Sequence, residues 1–148
     1  MMSRPLVVAA LLSLFTVPAF AQSQDVAGRL KVVTGSVFIV RGGTTLPATV
    51  GEFVRETDAI RTGPDGRVGL TLKDDTRVAL GPDSEMRVDS FRYAPAEGRL
   101  GLALQFVRGV AGYISGRIAK LAPNAVRLET PAAIVGVRGT SLAIRVSP

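Results

Sequence analysis

Apolar side chains recur at every second residue through much of this chain. That alternation limits what it can fold into more than any other feature. In Arg67-Val68-Gly69-Leu70-Thr71-Leu72, the residues Val68, Leu70 and Leu72 share one face, with Arg67, Thr71 and Lys73 on the other. Thr76, Val78 and Leu80 resume the pattern after Asp74-Asp75, and Leu100, Leu102, Leu104 and Phe106 repeat it. Period two is the period of a strand with one dry and one wet face. Turn signals separate the runs: Gly42-Gly43, Gly63-Pro64-Asp65-Gly66, Gly81-Pro82-Asp83-Ser84, Ala94-Pro95-Ala96-Glu97-Gly98 and Ala122-Pro123-Asn124. Proline presets one dihedral of a turn and glycine supplies positive φ. The pattern predicts an all-β fold, a two-sheet antiparallel sandwich or roll of about ten short strands. Only Tyr113–Leu121 carries helical spacing, through Ile114, Ile118 and Leu121, and Gly116 weakens it.

The N-terminus reads as an address. Arg4 precedes an apolar run from Leu6 to Val17, and Pro18 and Ala19-Phe20-Ala21 follow. A basic start, about a dozen apolar residues and an A-x-A ending are the layout of a secretory signal peptide. A membrane span needs ~20 residues, and Pro18 stops a helix where an anchor would continue. Residues 1–21 are therefore expected to leave by cleavage between Ala21 and Gln22. Residues 22–32 are then a lead-in, and 33–148 form one β domain with no stable membrane span. The expected compartment is the periplasm.

Composition removes most chemistry. The 148 residues contain no Cys, His or Trp. Disulfides, thiol nucleophiles, imidazole acid–base catalysis and Cys- or His-ligated metals are excluded together. Asp58, Asp65, Asp74, Asp75 and Asp83 form no D-x-D-x-D-G run for calcium, and most fall in predicted turns, where Asp caps its own backbone. No nucleophile motif such as G-x-S-x-G is present. The expectation is a protein that is not an enzyme, without metal or cofactor. The net charge is +6. A periplasmic chain does not meet chromosomal DNA, so this balance points to acidic proteins or anionic envelope polymers rather than nucleic acid.

Several segments in order resemble the FecR family. They are Gly35-Ser36-Val37 with Arg41, then Gly51-Glu52, then Asp58-Ala59-Ile60-Arg61-Thr62-Gly63, and Gly66-Arg67-Val68-Gly69-Leu70. Leu72-Lys73-Asp74-Asp75-Thr76-Arg77-Val78-Ala79-Leu80-Gly81-Pro82-Asp83-Ser84 follows, then Gly109-Val110 at the place of a strand-ending glycine. The most specific stretch is Glu129-Thr130-Pro131-Ala132-Ala133-Ile134-Val135-Gly136-Val137-Arg138-Gly139-Thr140-Ser141-Leu142. The resemblance covers about Val33 to Val146. It implies a non-catalytic periplasmic β domain related to regulators that hold a sigma factor inside the cell and sense a transporter outside it. Met1–Pro5 is shorter than a sigma-factor-holding segment, so a secreted single-domain member is expected here.

Within the resemblance, Asp58, Thr62, Gly63, Asp75, Pro82, Thr130, Pro131, Gly136 and Gly139 are expected to be structural. Gly136 and Gly139 permit unusual backbone or close approach. Arg138 and Thr140 admit two readings: satisfaction of buried carbonyls, or a small anion or partner site. Arg67 and Arg77, on neighbouring strands, admit two readings: charge that keeps an exposed sheet face soluble and its edges protected, or a shared basic binding face. The functional expectation is a protein-interaction, signalling or scaffold module with an envelope protein as partner. The alternative is a module that binds peptidoglycan or exported polysaccharide. Few aromatic residues are available to stack on sugars.

Overall fold

The computed structural model describes residues 26–137 and 141–147. Among them, twelve strands form one curled, mostly antiparallel sheet resembling half a barrel. The chain runs through β1 (Val26–Thr34), β2 (Val37–Arg41), β3 (Thr44–Pro47), β4 (Phe53–Arg55) and β5 (Ala59–Thr62). It continues through β6 (Arg67–Leu72), β7 (Arg77–Leu80), β8 (Glu85–Ala94) and β9 (Arg99–Ile114). A short helix, α1 (Arg117–Leu121), precedes β10 (Val126–Glu129), β11 (Ile134–Gly136) and β12 (Ser141–Val146). β1 spans the expected boundary between lead-in and domain, so Val26–Val32 are part of the sheet.

The strand order along the main path is β3-β2-β5-β8-β9-β7-β6-β1-β4. β9 holds it together. Its first part pairs with β8 and β10, and its last part, Gly109–Ile114, pairs with β7 and β12. Of the expected all-β sandwich or roll, the mostly antiparallel β fold is present, and one sixteen-residue strand belonging to both halves joins them in a single curled sheet. Gly109 does not end a strand, as the family resemblance suggested. It is the bend inside β9, at φ 89°.

The alternating residues face inward as their spacing requires. Val68, Leu70, Leu72, Val78, Leu80, Leu102, Leu104 and Phe106 are all buried. Gly42 and Gly43 both have positive φ and close a two-residue hairpin between β2 and β3, the turn geometry that matches strand twist. One pair departs from the antiparallel expectation: β10 runs parallel to β9. Parallel neighbours need a crossover, and α1 with the 3-10 turn Pro123–Ala125 supplies it. The helix is shorter than its spacing suggested, because Tyr113 and Ile114 stay in β9.

Candidate functional site: an open cationic sheet face

The polar residues of the family-like segments are engaged in holding turns together. Asp58 is buried and accepts from Arg41 Nε at 3.0 Å, Arg41 Nη2 at 2.8 Å and the Arg55 amide at 2.8 Å. The Asp58 hydrogen bond holds the Arg41 guanidinium more firmly protonated than usual. Thr62 Oγ1 donates to the Gly81 carbonyl at 2.6 Å and accepts from the Ser84 amide at 2.9 Å. Ser84 Oγ lies 3.0 Å from the Pro82 carbonyl oxygen and accepts from the Val110 amide at 2.9 Å. The Gly63 amide donates to the Ser36 carbonyl, and the Gly63 carbonyl accepts from Gly66 and Asp83. Asp75 occupies a left-handed turn position at φ 68°. The Thr62, Gly63 and Ser84 contacts tie the turns at Ser36, Gly63–Gly66 and Gly81–Ser84 together, while Asp58 and Asp75 occupy turns at the opposite ends of β5 and of the β6–β7 hairpin.

Asp74 does more than cap its own turn. Its carboxylate accepts from the Thr76 amide at 3.1 Å, Thr76 Oγ1 at 2.8 Å and the Ile118 amide at 3.2 Å, all buried. The Ile118 amide belongs to the first turn of α1, where a helix leaves its N–H groups unpaired. Gly116 lies just before it because a Cβ there would overlap the Asp74 carbonyl and the Thr76 amide. The five acids once considered for calcium are thus distributed among an ion pair, a helix cap and separate turns.

Thr130 and Ala133 close a small turn: the Ala133 amide donates to Thr130 Oγ1 at 3.1 Å, and the Thr130 amide to the Ala133 carbonyl at 2.9 Å. Pro131 lies inside that turn, where its missing N–H leaves no gap. Among the described residues, a Cβ on Gly136, in β11 at the sheet edge, would meet nothing within 4 Å. Arg138, Gly139 and Thr140 lie outside the described residues, as do Ala21 and Gln22.

Arg67 and Arg77 do share a face. Register places Thr71 opposite Arg77 and Gly69 opposite Ala79, so the two arginines stand at opposite ends of the β6–β7 hairpin. Around them the outward positions of five strands form three rows. The middle row is Val32, Gly69, Ala79, Gly112 and Ala143. Thr71, Arg77, Ile114 and Ser141 form one flanking row. Arg67, Gly81, Val110 and Arg145 form the other. The small middle row leaves two adjoining depressions of about 550 and 500 Å³ between the flanks. Val32, Ile114 and Val110 are 54%, 49% and 42% exposed, so the face presents aliphatic side chains beside its cations.

Charge is divided between the two halves of the sheet. β1, β4, β6, β7, β12 and residues 109–114 contain no Asp or Glu, yet carry Arg29, Lys31, Arg55, Arg67, Arg77 and Arg145. Among the described residues, no carboxylate lies within 4 Å of Lys31, Arg67, Arg77 or Arg145. On the other half, Arg61 and Arg108 share Glu85, Arg87 meets Asp89, Arg92 meets Glu56 and Arg127 meets Glu129. This division is written in the sequence, but it becomes visible only once the strands are sorted into halves.

A FecR protein family model matches residues 58–148, more than half of the chain. The chain belongs to the FecR family, a regulatory and signalling family. No curated protein and no solved structure gave a significant match. Among the described residues, no helix is long and apolar enough to cross a membrane.

Proposed function

We propose that this FecR-family chain is a non-catalytic interaction module in the periplasm of a bacterial envelope, part of a signalling or scaffold assembly and partnered by an envelope protein. Signal-peptide cleavage between Ala21 and Gln22 would release it there. The observation that carries the reading is the division of labour in the domain. The polar motif residues are used internally, while the outward face around Arg67 and Arg77 combines exposed aliphatic residues with cations that have no carboxylate partner among the described residues. Charged surfaces of one sign favour partners of the other and speed their encounter. The second reading, binding of an anionic peptidoglycan or polysaccharide chain, draws on the same cations.

The test is crosslinking in cells with a C-terminally tagged full chain, with mass spectrometry of what is recovered and sequencing of the mature N-terminus. A reproducible envelope protein and an N-terminus at Gln22 are the expected results. Recovery of sacculus or glycan fragments in place of protein would replace this reading with polymer binding. A retained N-terminal segment would overturn the periplasmic release.

A further inference from the structure

We infer that the face formed by β12, β9, β7, β6 and β1 docks an acidic amphipathic helix of a partner protein. This rests on the interaction-module reading and specifies its site and the chemistry it takes.

Three properties of the face select that occupant. The first is charge. Lys31, Arg67 and Arg77 line the depressions, Arg145 stands beside Val110 in the flanking row, and no strand of this half contains an acid to oppose them. The second is that the floor offers no backbone hydrogen bonds. Its three inner strands are paired on both sides, and only the outer edges of β12 and of β1 beyond Leu30 are open. An extended segment lying there would leave its own N–H and C=O groups without partners, whereas a helix satisfies its own. The third is size. The flanking rows are four residues apart along the strands, ~14 Å at 3.4 Å per residue, and a helix is ~10–12 Å across. Five strands at ~4.8 Å spacing span ~19 Å, the length of about 13 helical residues. Gly69, Ala79, Gly112 and Ala143 keep the floor low, so a helix would seat its apolar stripe there with carboxylates on either side reaching the flanking cations.

A sugar chain fits less well, since the aromatic residue in the lining, Tyr113, is buried and offers no exposed ring to stack on. The floor also has room to be blocked without harm to the fold. A Cβ on Gly112 would meet only Ala79 Cβ, at 4.0 Å, and one on Gly69 only Val32, from 3.5 Å.

The test uses the full chain and a fluorescent helical peptide of leucine, alanine and glutamate, with one apolar stripe flanked by glutamates. Comparison probes are the same peptide with lysine for glutamate, poly-glutamate, polygalacturonate and vesicles containing phosphatidylglycerol. Binding of the first peptide is expected to weaken by at least about tenfold in the Arg67→Glu/Arg77→Glu variant and to fall with added salt. Gly112→Leu should abolish it at unchanged charge and unchanged melting temperature. Equal binding of poly-glutamate, polygalacturonate or vesicles, or indifference to Gly112→Leu, would overturn the helix-docking assignment. The two proposals fail separately. A crosslinked partner that survives Gly112→Leu keeps the module and removes this face. Peptide binding lost in Gly112→Leu, with no protein crosslinked in cells, keeps the face and removes the module.

Discussion

At the scale of the residue, Asp74 is the most consequential polar group in the domain. Its carboxylate is fully buried and satisfies three donors, one of them the amide of Ile118, forty-four positions away. Asp74→Ala would leave those donors buried and unpaired, and should lower unfolding free energy by ~2–4 kcal/mol. Urea unfolding measures this, and a loss below ~1 kcal/mol would mean that water replaces the cap. Asp74 and Asp75 were legible as a turn because a break in the alternation is local. The bond to Ile118 was not, since nothing in a linear pattern says which distant amide will arrive. Tyr113 gives a pH-dependent counterpart. Burial raises its phenol above the usual range, against a weaker opposing effect from Ser115. The folded chain then holds a proton that the unfolded chain releases from pH ~10 upward. Stability should therefore fall as pH rises past that point, and Tyr113→Phe should flatten the fall. An unchanged alkaline slope in the variant would place its cause elsewhere.

At the scale of the element, β9 decides the architecture, and Gly109 decides β9. The bend needs positive φ, and a Cβ there would overlap Ser84 Oγ and lie 2.6 Å from Ser84 Cα and 2.7 Å from the Asp83 carbonyl. Gly109→Ala should cost ~2–4 kcal/mol through combined backbone strain and overlap with the Ser84 turn. Gly112→Ala, three residues along the same strand, has no such neighbour and should stay within ~0.5 kcal/mol of the parent. Thermal or urea unfolding of the pair compares the same substitution in the same strand. Equal effects would show that general strand propensity, and not the bend, governs both. The runs Val68–Leu72, Val78–Leu80 and Leu102–Phe106 could be read from the sequence because strand alternation is local. The continuity of β9 could not. Glycine at 101, 109 and 112 reads as punctuation in one dimension, and only pairing with β8, β7, β10 and β12 shows that the chain continues through it. The parallel placement of β10 was hidden for the same reason, since it depends on where the α1 crossover returns the chain.

At the scale of the whole molecule, the net charge of +6 conceals a division. One half of the sheet pairs its arginines with nearby carboxylates, while on the other half no carboxylate lies within 4 Å of Lys31, Arg67, Arg77 or Arg145 among the described residues. Arg67 and Arg77 were legible as residues of a shared face, but the face's selectivity lies in what is missing around them, and that requires knowing which strands are neighbours. The division has a measurable consequence that needs no partner. At physiological salt the screening length is ~8 Å, so a charged resin responds to local patches more than to total charge. Two variants can carry the same change in net charge, one reversing Arg67, Arg77 and Arg145 to Glu, the other reversing Arg87, Arg99 and Arg127. On a cation exchanger the first should elute at markedly lower salt, because it removes the patch through which the parent adsorbs. The second lies where arginines already face Asp89, Glu97 and Glu129, and should move elution less. Circular dichroism of both must match the parent for the comparison to hold. If the two elute together, the cations of β6, β7 and β12 do not act as a patch in solution, and the electrostatic basis for docking an acidic helix on that face is gone.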